Sequence, residues 1–269
     1  VLYPIRKITR QALRIAGGEQ KRLPATGVGE LRTLSVALEE MRSELEGKHY
    51  VEHYVQALTH ELKSPLAAIR GAAELIDESM PEEKRMRFLD NILSETTKSE
   101  DMVRRLVQLA SVESQSVLSK EEEISIGALV SEELAGLSAI IETRELDVWS
   151  IGLDQDHRIL GDPLMLRIAV RNGLNNAFDF SPSSGKVEVE IVREGEVICL
   201  SVRDQGPGLP DFAKGRAFER FYSLKNEATG RKGSGIGLTF VRATMELHGG
   251  SAILTNRNGG GAVLELRFG

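Results

Sequence analysis

Leu58-Thr59-His60-Glu61-Leu62-Lys63-Ser64-Pro65-Leu66 sets one histidine on a helical pattern, with a carboxylate beside it and a proline five residues on. Polar neighbours keep the stretch open to solvent. Read alone, His60 is either a solvated histidine on a coiled coil or an imidazole governed by Glu61. A neutral imidazole attacks only through its unprotonated nitrogen, and an adjacent carboxylate fixes which nitrogen that is. Pro65 removes the N–H that would bond the Glu61 carbonyl and crowds that carbonyl, which predicts a kink beside His60.

Outward from this stretch the apolar spacing alternates three and four. Leu31, Leu34, Leu38, Met41 and Leu45 form a coiled-coil seam. Its phase continues through Lys48, Glu52, Val55, Thr59, Leu62, Leu66, Ile69, Ala73 and Ile76. The polar members Lys48, Glu52 and Thr59 loosen the seam near His60, which falls one step off it. Met80-Pro81-Glu82-Glu83 reads as a turn, and Leu89, Ile92, Thr96, Ser99, Val103, Leu106 and Ala110 carry the stripe of a second helix. A long antiparallel hairpin cannot bury such a stripe alone, so a dimeric four-helix bundle is expected. Further upstream, Ile5, Ile8, Ala12 and Ile15 make a short stripe, opened by Pro4 and stopped by Gly17-Gly18. Residues 18–29 connect it to the long seam, with Leu23 and Val28 as apolar anchors. This region is either a plain coiled coil or a two-helix linker module; both predict a homodimer.

Composition bounds the rest. A length of 269 residues suggests about two domains, and 41% hydrophobic with 28% charged residues is ordinary for a globular chain. Only 5% aromatics predicts aliphatic cores. A net charge of −6 argues against a nucleic-acid partner. A single cysteine, Cys199, forms no internal disulfide, fits a reducing compartment and reads as a buried apolar residue in Val197-Ile198-Cys199-Leu200. No window is apolar enough for a membrane helix. Val1-Leu2-Tyr3-Pro4 followed by Arg6, Lys7 and Arg10 is either a free basic helix start or the pattern that follows a membrane span on its cytoplasmic side.

Beyond Glu113 the pattern becomes mixed. Lys120-Glu121-Glu122-Glu123 reads as a solvated linker. A helix is expected over 127–144 and strands over 146–151 and 157–160. Asp162-Pro163 reads as an N-cap with a first-turn proline. Alternating runs over 186–192 and 197–202 make a hairpin, a helix follows Gly237, and strands are expected over 251–256 and 262–268. Helices on one face of a mixed sheet, an α/β sandwich, is the economical architecture.

Four stretches here suit a nucleotide. In Asn172-Gly173-Leu174-Asn175-Asn176-Ala177, Asn172 and Asn176 share a helical face; their amide oxygens suit Mg²⁺ and its waters. Asp204-Gln205-Gly206-Pro207-Gly208 follows a strand, where a carboxylate can accept from an exocyclic amine. Phe218-Glu219-Arg220-Phe221-Tyr222 leads into a polar, glycine-containing segment suited to a lid. Gly233-Ser234-Gly235-Ile236-Gly237-Leu238 opens a helix whose free N–H groups favour phosphate. A dinucleotide fingerprint is rejected, because charged residues and not a strand precede these glycines.

In this order the four stretches resemble the N, G1, F and G2 boxes of the histidine kinase ATP-binding domain. Thr59-His60-Glu61 through Pro65-Leu66 resembles the H-box of sensor histidine kinases, and Ala67-Ala68-Ile69-Arg70-Gly71-Ala72-Ala73-Glu74 is similar to the CreC-type members. The N-terminal helix pair resembles a HAMP linker. The resemblance implies a multidomain chain: an all-α dimeric coiled-coil and four-helix-bundle N-terminal part, plus a C-terminal α/β sandwich of the histidine-kinase ATPase type. It divides into a HAMP-like linker (1–47), a dimerisation and phosphotransfer hairpin (48–115) and an ATP-binding domain (120–269).

The implied activity is that of an ATP-dependent protein histidine kinase. His60 is then the phosphoacceptor and Glu61 its base. Ser64 keeps a hydroxyl where relatives often have Thr or Asn for dephosphorylating a partner. Asn176 coordinates Mg²⁺ with Asn172 beside it, and Asp204 reads adenine in a pocket shaped by Gly206 and Gly208. Gly233, Gly235 and Gly237 hold the phosphates and hinge the lid. Arg220 and Lys232 neutralise phosphate charge, and Asp179 stands where many relatives carry a lysine. Implied partners are a second copy, a response regulator receiver domain and an upstream transmembrane sensor segment, in the cytoplasmic portion of a bacterial inner-membrane protein. An ATPase of the same sandwich fold is the alternative; its water-activating glutamate is replaced here by Asn172, which cannot act as a base. A non-catalytic dimeric scaffold is the other, and intact His60 and Glu61 argue against it.

Overall fold

A computed structural model describes residues 59, 62–77, 79–118, 120–226, 230, 233–257 and 259–269. His60, Glu61, Lys232 and all of 1–58, with its HAMP-like reading, lie outside the described residues. The chain divides into two compact units, residues 1–95 and 96–269.

In the first unit, helix α1 (62–75) runs through Pro65. Helix α2 (Glu82–Glu113) begins inside the expected turn, because the Pro81 carbonyl accepts the N–H groups of Lys84 and Arg85 at 3.0 Å each. Its first-turn Glu82 and Glu83 place negative charge where helix N–H groups lack partners. Leu62 and Ile69 are half-buried and Ala72 is buried, while Leu66, Leu75, Met86, Leu89 and Leu93 are exposed.

In the second unit, the end of α2 buries Leu106, Leu109 and Val112. The acidic run that reads as a linker is in part a strand. β1 (Glu122–Ser125) pairs antiparallel with β3 (Arg158–Gly161), with Ile124 opposite Ile159. Lateral pairing with a strand 35 residues away supplies the hydrogen bonds that local composition does not announce, and Arg158 Nη1 meets Glu123 at 3.1 Å. The single helix expected over 127–144 is two, α3 (Ile126–Gly136) and α4 (Ser138–Thr143). Gly136 and Ser138 are weak helix formers, and the break buries Leu137.

The main sheet has the order β2-β4-β5-β7-β6, from β2 (Asp147–Ile151), β4 (Lys186–Glu194), β5 (Val197–Arg203), β6 (Ser251–Asn256) and β7 (Ala262–Phe268). Only β2–β4 is parallel. The two-residue turn between β4 and β5 places Gly195 at φ +67°, a conformation glycine reaches without a Cβ clash. Strand period sends Val187, Val189, Ile191, Leu200, Val202, Leu264 and Leu266 to one face. Helices α3, α5 (Pro163–Phe180) and α6 (Gly237–Leu247) cover that face. The other face carries a charge lattice, with Arg203 Nη1 at 2.9 Å from Glu188 and 2.7 Å from Glu190. Cys199 is buried, as its apolar run predicts. No helix among the described residues is long and apolar enough to cross a membrane.

Candidate functional site

The site is built on α5, which is pinned at both flanks. Asp162 Oδ1 caps it, accepting the N–H groups of Leu164 at 2.9 Å and Met165 at 3.0 Å, with Pro163 in the first turn. Glu133, only 1% exposed, reaches across from α3 to accept from Arg167 Nη1 at 3.0 Å and from Arg171 Nε. His248 joins the end of α6 to the start of α5: its Nε2 accepts the Asp162 N–H at 3.0 Å, and its Nδ1 lies 2.7 Å from the Thr244 carbonyl. Those two partners require a neutral ring protonated on Nδ1. Held this way, α5 carries Asn172 and Asn176 one turn apart on one face.

The last residue of α5 touches the Asp204 loop. A Cβ on Gly206 would lie 2.5 Å from the Phe180 carbonyl oxygen, so only glycine permits the approach. Asp204 is 3% exposed. Its Oδ1 accepts the N–H groups of Gly206 at 2.7 Å and Ala262 at 3.1 Å, and its Oδ2 accepts none from the described residues. Burial pushes its carboxyl above the ordinary range, against the lowering effect of those two N–H bonds and of Arg257. A buried carboxylate with one oxygen held and the other unclaimed suits a single amine donor.

The middle of α5 touches the second glycine motif. A Cβ on Gly237 would lie 3.3 Å from Asn172 Oδ1, which sets that amide against the first turn of α6. No side chain among the described residues caps this turn, which leaves its first N–H groups without a side-chain acceptor at the cap. Gly235 has φ +66°, and its Cβ would overlap the Phe221 backbone at 2.4 Å. Phe221, itself at φ +60°, donates its N–H to the Gly235 carbonyl at 3.0 Å. Thr239 Oγ1 lies within reach of the carbonyls of Phe218 (3.2 Å) and Gly235 (3.3 Å). The Phe218–Tyr222 segment and the glycine loop are thereby one hydrogen-bonded piece.

Of the residues expected to hold nucleotide, Asn172, Asn176, Asp204, Gly206, Gly208, Gly233, Gly235 and Gly237 all sit along α5, the 204–208 loop and the start of α6. Arg220 is placed otherwise: its Nε and Nη2 donate to Glu113 Oε1 at 2.9 and 2.7 Å, at the end of α2. Asp179 is exposed, and its carbonyl accepts from Asn226 Nδ2. Ser64 is exposed on α1. Residues that the motifs do not name also shape the site. Thr239, Asn256 and Ala262 hold its loops through bonds between distant positions, and Gly261 passes close to the Asp204 carbonyl; none of these leaves a local signal.

These residues fit a Mg–nucleotide. The helix start without a side-chain cap suits phosphate, the paired amides suit a hydrated divalent cation, and Asp204 Oδ2 suits an amine. Comparison with known proteins bears on the same regions. Residues 1–47 match the HAMP domain, 51–115 the His Kinase A (phospho-acceptor) domain, and 161–269 the histidine kinase-, DNA gyrase B-, and HSP90-like ATPase family. Sensor protein CreC of Escherichia coli K12 is 40% identical over 266 residues, 98% of this chain and 55% of that protein. The chain carries the HAMP, phospho-acceptor and ATPase domains in that order. MprB, a signal transduction histidine-protein kinase/phosphatase of Mycobacterium sp. strain KMS, is 31% identical over 93% of this chain and 49% of its own. The chain thus spans about half the length of the curated relatives it matches. Among solved structures, Acinetobacter baumannii AdeS aligns with a TM-score of 0.62 at 20% identity, covering 78% of this chain and 96% of that one. ThkA, solved in complex with response regulator protein TrrA, aligns at 0.67 and 20% identity, covering 90% and 67%. Both share the helical-plus-sandwich fold.

Proposed function

We propose that this chain is an ATP-dependent protein histidine kinase that phosphorylates itself on His60 and passes the phosphoryl group to an aspartate of a response regulator. The observation that carries the reading is the way α5 meets both loops at once: Asn172 lies against the uncapped start of α6 while Phe180 abuts the Asp204 loop at Gly206. One rigid helix thereby spaces a base-reading carboxylate from a phosphate-binding helix start. Asp204 Oδ2 accepts the adenine amine, and Gly206 and Gly208 let backbone approach the ring. Asn172 and Asn176 hold the hydrated Mg²⁺. The backbone of Gly233, Gly235 and Gly237 wraps the phosphates, with Lys232 as a further cation. Mg²⁺, when bound, spreads the charge of the terminal phosphates. Glu61 would take the proton from one nitrogen of His60 while the other attacks the γ-phosphorus of ATP, the bond to the β,γ-bridging oxygen breaks and ADP leaves; the rest is positioning.

The exposed apolar residues Leu66, Leu75, Met86, Leu89 and Leu93 support a homodimeric hairpin. The HAMP match over 1–47 supports a cytoplasmic portion of a membrane receptor that receives its signal from an upstream segment. Ser64 supplies a hydroxyl for partner dephosphorylation. The test is incubation of the full chain with γ-labelled ATP and Mg²⁺. Label should stay on protein, resist alkali and be lost in acid, and His60→Gln should reduce it to background. Free phosphate with no protein-bound label would instead favour an ATPase.

A further inference from the structure

The Asp204 loop is held at three points by the end of one hairpin. The turn joining β6 to β7 carries Gly259, Gly260 and Gly261 at φ +95°, +105° and +93°. It lies directly on the loop, since a Cβ on Gly261 would sit 2.0 Å from the Asp204 carbonyl oxygen. Ala262 holds Asp204 through its own backbone groups, donating its N–H to the carboxylate Oδ1 at 3.1 Å and accepting the Asp204 N–H at 3.0 Å. The third anchor is a side chain. Asn256, the last residue of β6, accepts the Leu209 N–H on Oδ1 at 2.7 Å and donates Nδ2 to the Leu209 carbonyl at 2.8 Å.

This amide does what a neighbouring strand would do, taking both backbone groups of one residue. Its orientation is settled by the partners, because a flipped amide would set donor against donor. The bond also bears on Gly208, at φ +73°, where a Cβ would come within 3.0 Å of Asn256 Oδ1. Leu209 is buried with Ala213, Ala217 and Ala262, and Phe218, Tyr222, Leu224 and Leu238 pack on that cluster. Asn256 therefore fixes the point where the base-reading loop ends and the apolar footing of the lid begins. The anchors at Gly261 and Ala262 are backbone and survive most substitutions there. Asn256 is the anchor that a side chain supplies.

We infer that Asn256 is a positioning residue of the base site: its clamp on Leu209 holds Asp204 at the spacing that admits adenine and sets the preference for adenine over guanine nucleotides. The inference rests on the reading of Asp204 as the adenine acceptor.

The experiment is titration of the full chain with ADP–Mg and with GDP–Mg by calorimetry, beside ATP-dependent self-labelling. Variants are Asn256→Ala, Asn256→Asp and Asp204→Asn. Loss of two backbone bonds should weaken ADP about tenfold. GDP should change little, so the ADP/GDP ratio shrinks by the same factor, and the loss should fall on KM for ATP rather than on kcat. Asn256→Asp keeps the size and the acceptor and should recover part of the affinity; it also serves if the alanine variant does not fold. A purely structural role would lower the melting temperature and the active fraction while leaving the ADP/GDP ratio unmoved, and that result overturns the inference. If Asp204→Asn loses ADP while both Asn256 variants keep the wild-type ratio, the inference fails and the base site stands. If Asp204→Asn binds ADP as the wild type does, the base-site reading falls and takes the inference with it.

Discussion

The hairpin and the sandwich solve the same burial problem in opposite ways. In the sandwich, Phe178, Leu166, Leu174, Leu200 and Leu266 are sealed against one another within one chain. In the hairpin, Leu89, Leu93, Met86, Leu66 and Leu75 keep 40% to 65% of their surface. The sandwich closes because a sheet face and helix faces are complementary layers. Among the described residues the two helices leave this stripe exposed, which fits packing against a second copy. The lesson is that the sandwich closes within one chain, whereas the described hairpin helices leave apolar surface that the proposed homodimer would cover. That is a suitable arrangement for an element whose state a signal must bias.

The sharpest way to break this contrast is to cut each core separately. Phe178→Ala should cost about 3–5 kcal/mol of sandwich stability in urea unfolding and leave the sedimentation coefficient of the folded fraction unchanged. A fall in oligomeric state would show that the two halves do not close independently. Asp204→Asn comes next. It should weaken ADP by roughly 10- to 100-fold while the fold stays as stable as the wild type or gains a few degrees. The sign follows from the raised carboxyl. Between its ordinary value and its folded value the native state holds more proton than the unfolded chain, so stability falls as pH rises through that window. Asparagine keeps the Oδ1 acceptor and removes the slope, which melting curves between acid and neutral pH would reveal; a slope identical to the wild type would contradict the burial argument.

Leu93→Glu probes the other side. It should convert the dimer to monomer in sedimentation at micromolar concentration, with the sandwich unfolding transition unmoved. Retention of the dimer would place the interface elsewhere. Glu133→Gln sharpens the role of the α5 clamp. Losing the charge opposite two half-exposed guanidiniums should cost about 1–2 kcal/mol and raise KM for ATP modestly, as Asn172 and Asn176 lose their fixed backing. The smallest effect belongs to Arg220→Ala. Its pair with Glu113 is partly solvated, so thermal stability should fall by less than about 1 kcal/mol. A larger fall would mean that the α2 end is a structural part of the lid.

Much of the site was legible because its chemistry is local. Asp162-Pro163 announces a helix start by cap and ring, Asn172 and Asn176 share a face by spacing, and glycines mark Gly206, Gly235 and Gly237 as places where backbone must pass close. The strand at Glu122–Ser125 was illegible for the opposite reason: its two glutamates carry no β signal, and β3 supplies the pairing. The break at Leu137 was hidden within a continuous apolar periodicity. Asn256 looks like an ordinary strand-end residue until Leu209, 47 positions earlier, is beside it. Arg220 is instructive too. Its charge suggests phosphate, and the fold also brings it to Glu113, 107 residues away.

By itself the chain's order of residues determined the architecture and the identity of the chemical groups, since periodicity, caps and glycine placement act within a few neighbouring positions. The tertiary structure alone decided which groups face each other: Asn172 against the α6 start, Asp204 beneath the β6–β7 turn, Arg220 on Glu113. Those meetings depend on strand order and helix packing, which bring distant positions within hydrogen-bond reach, and hydrogen bonds are felt only at that range.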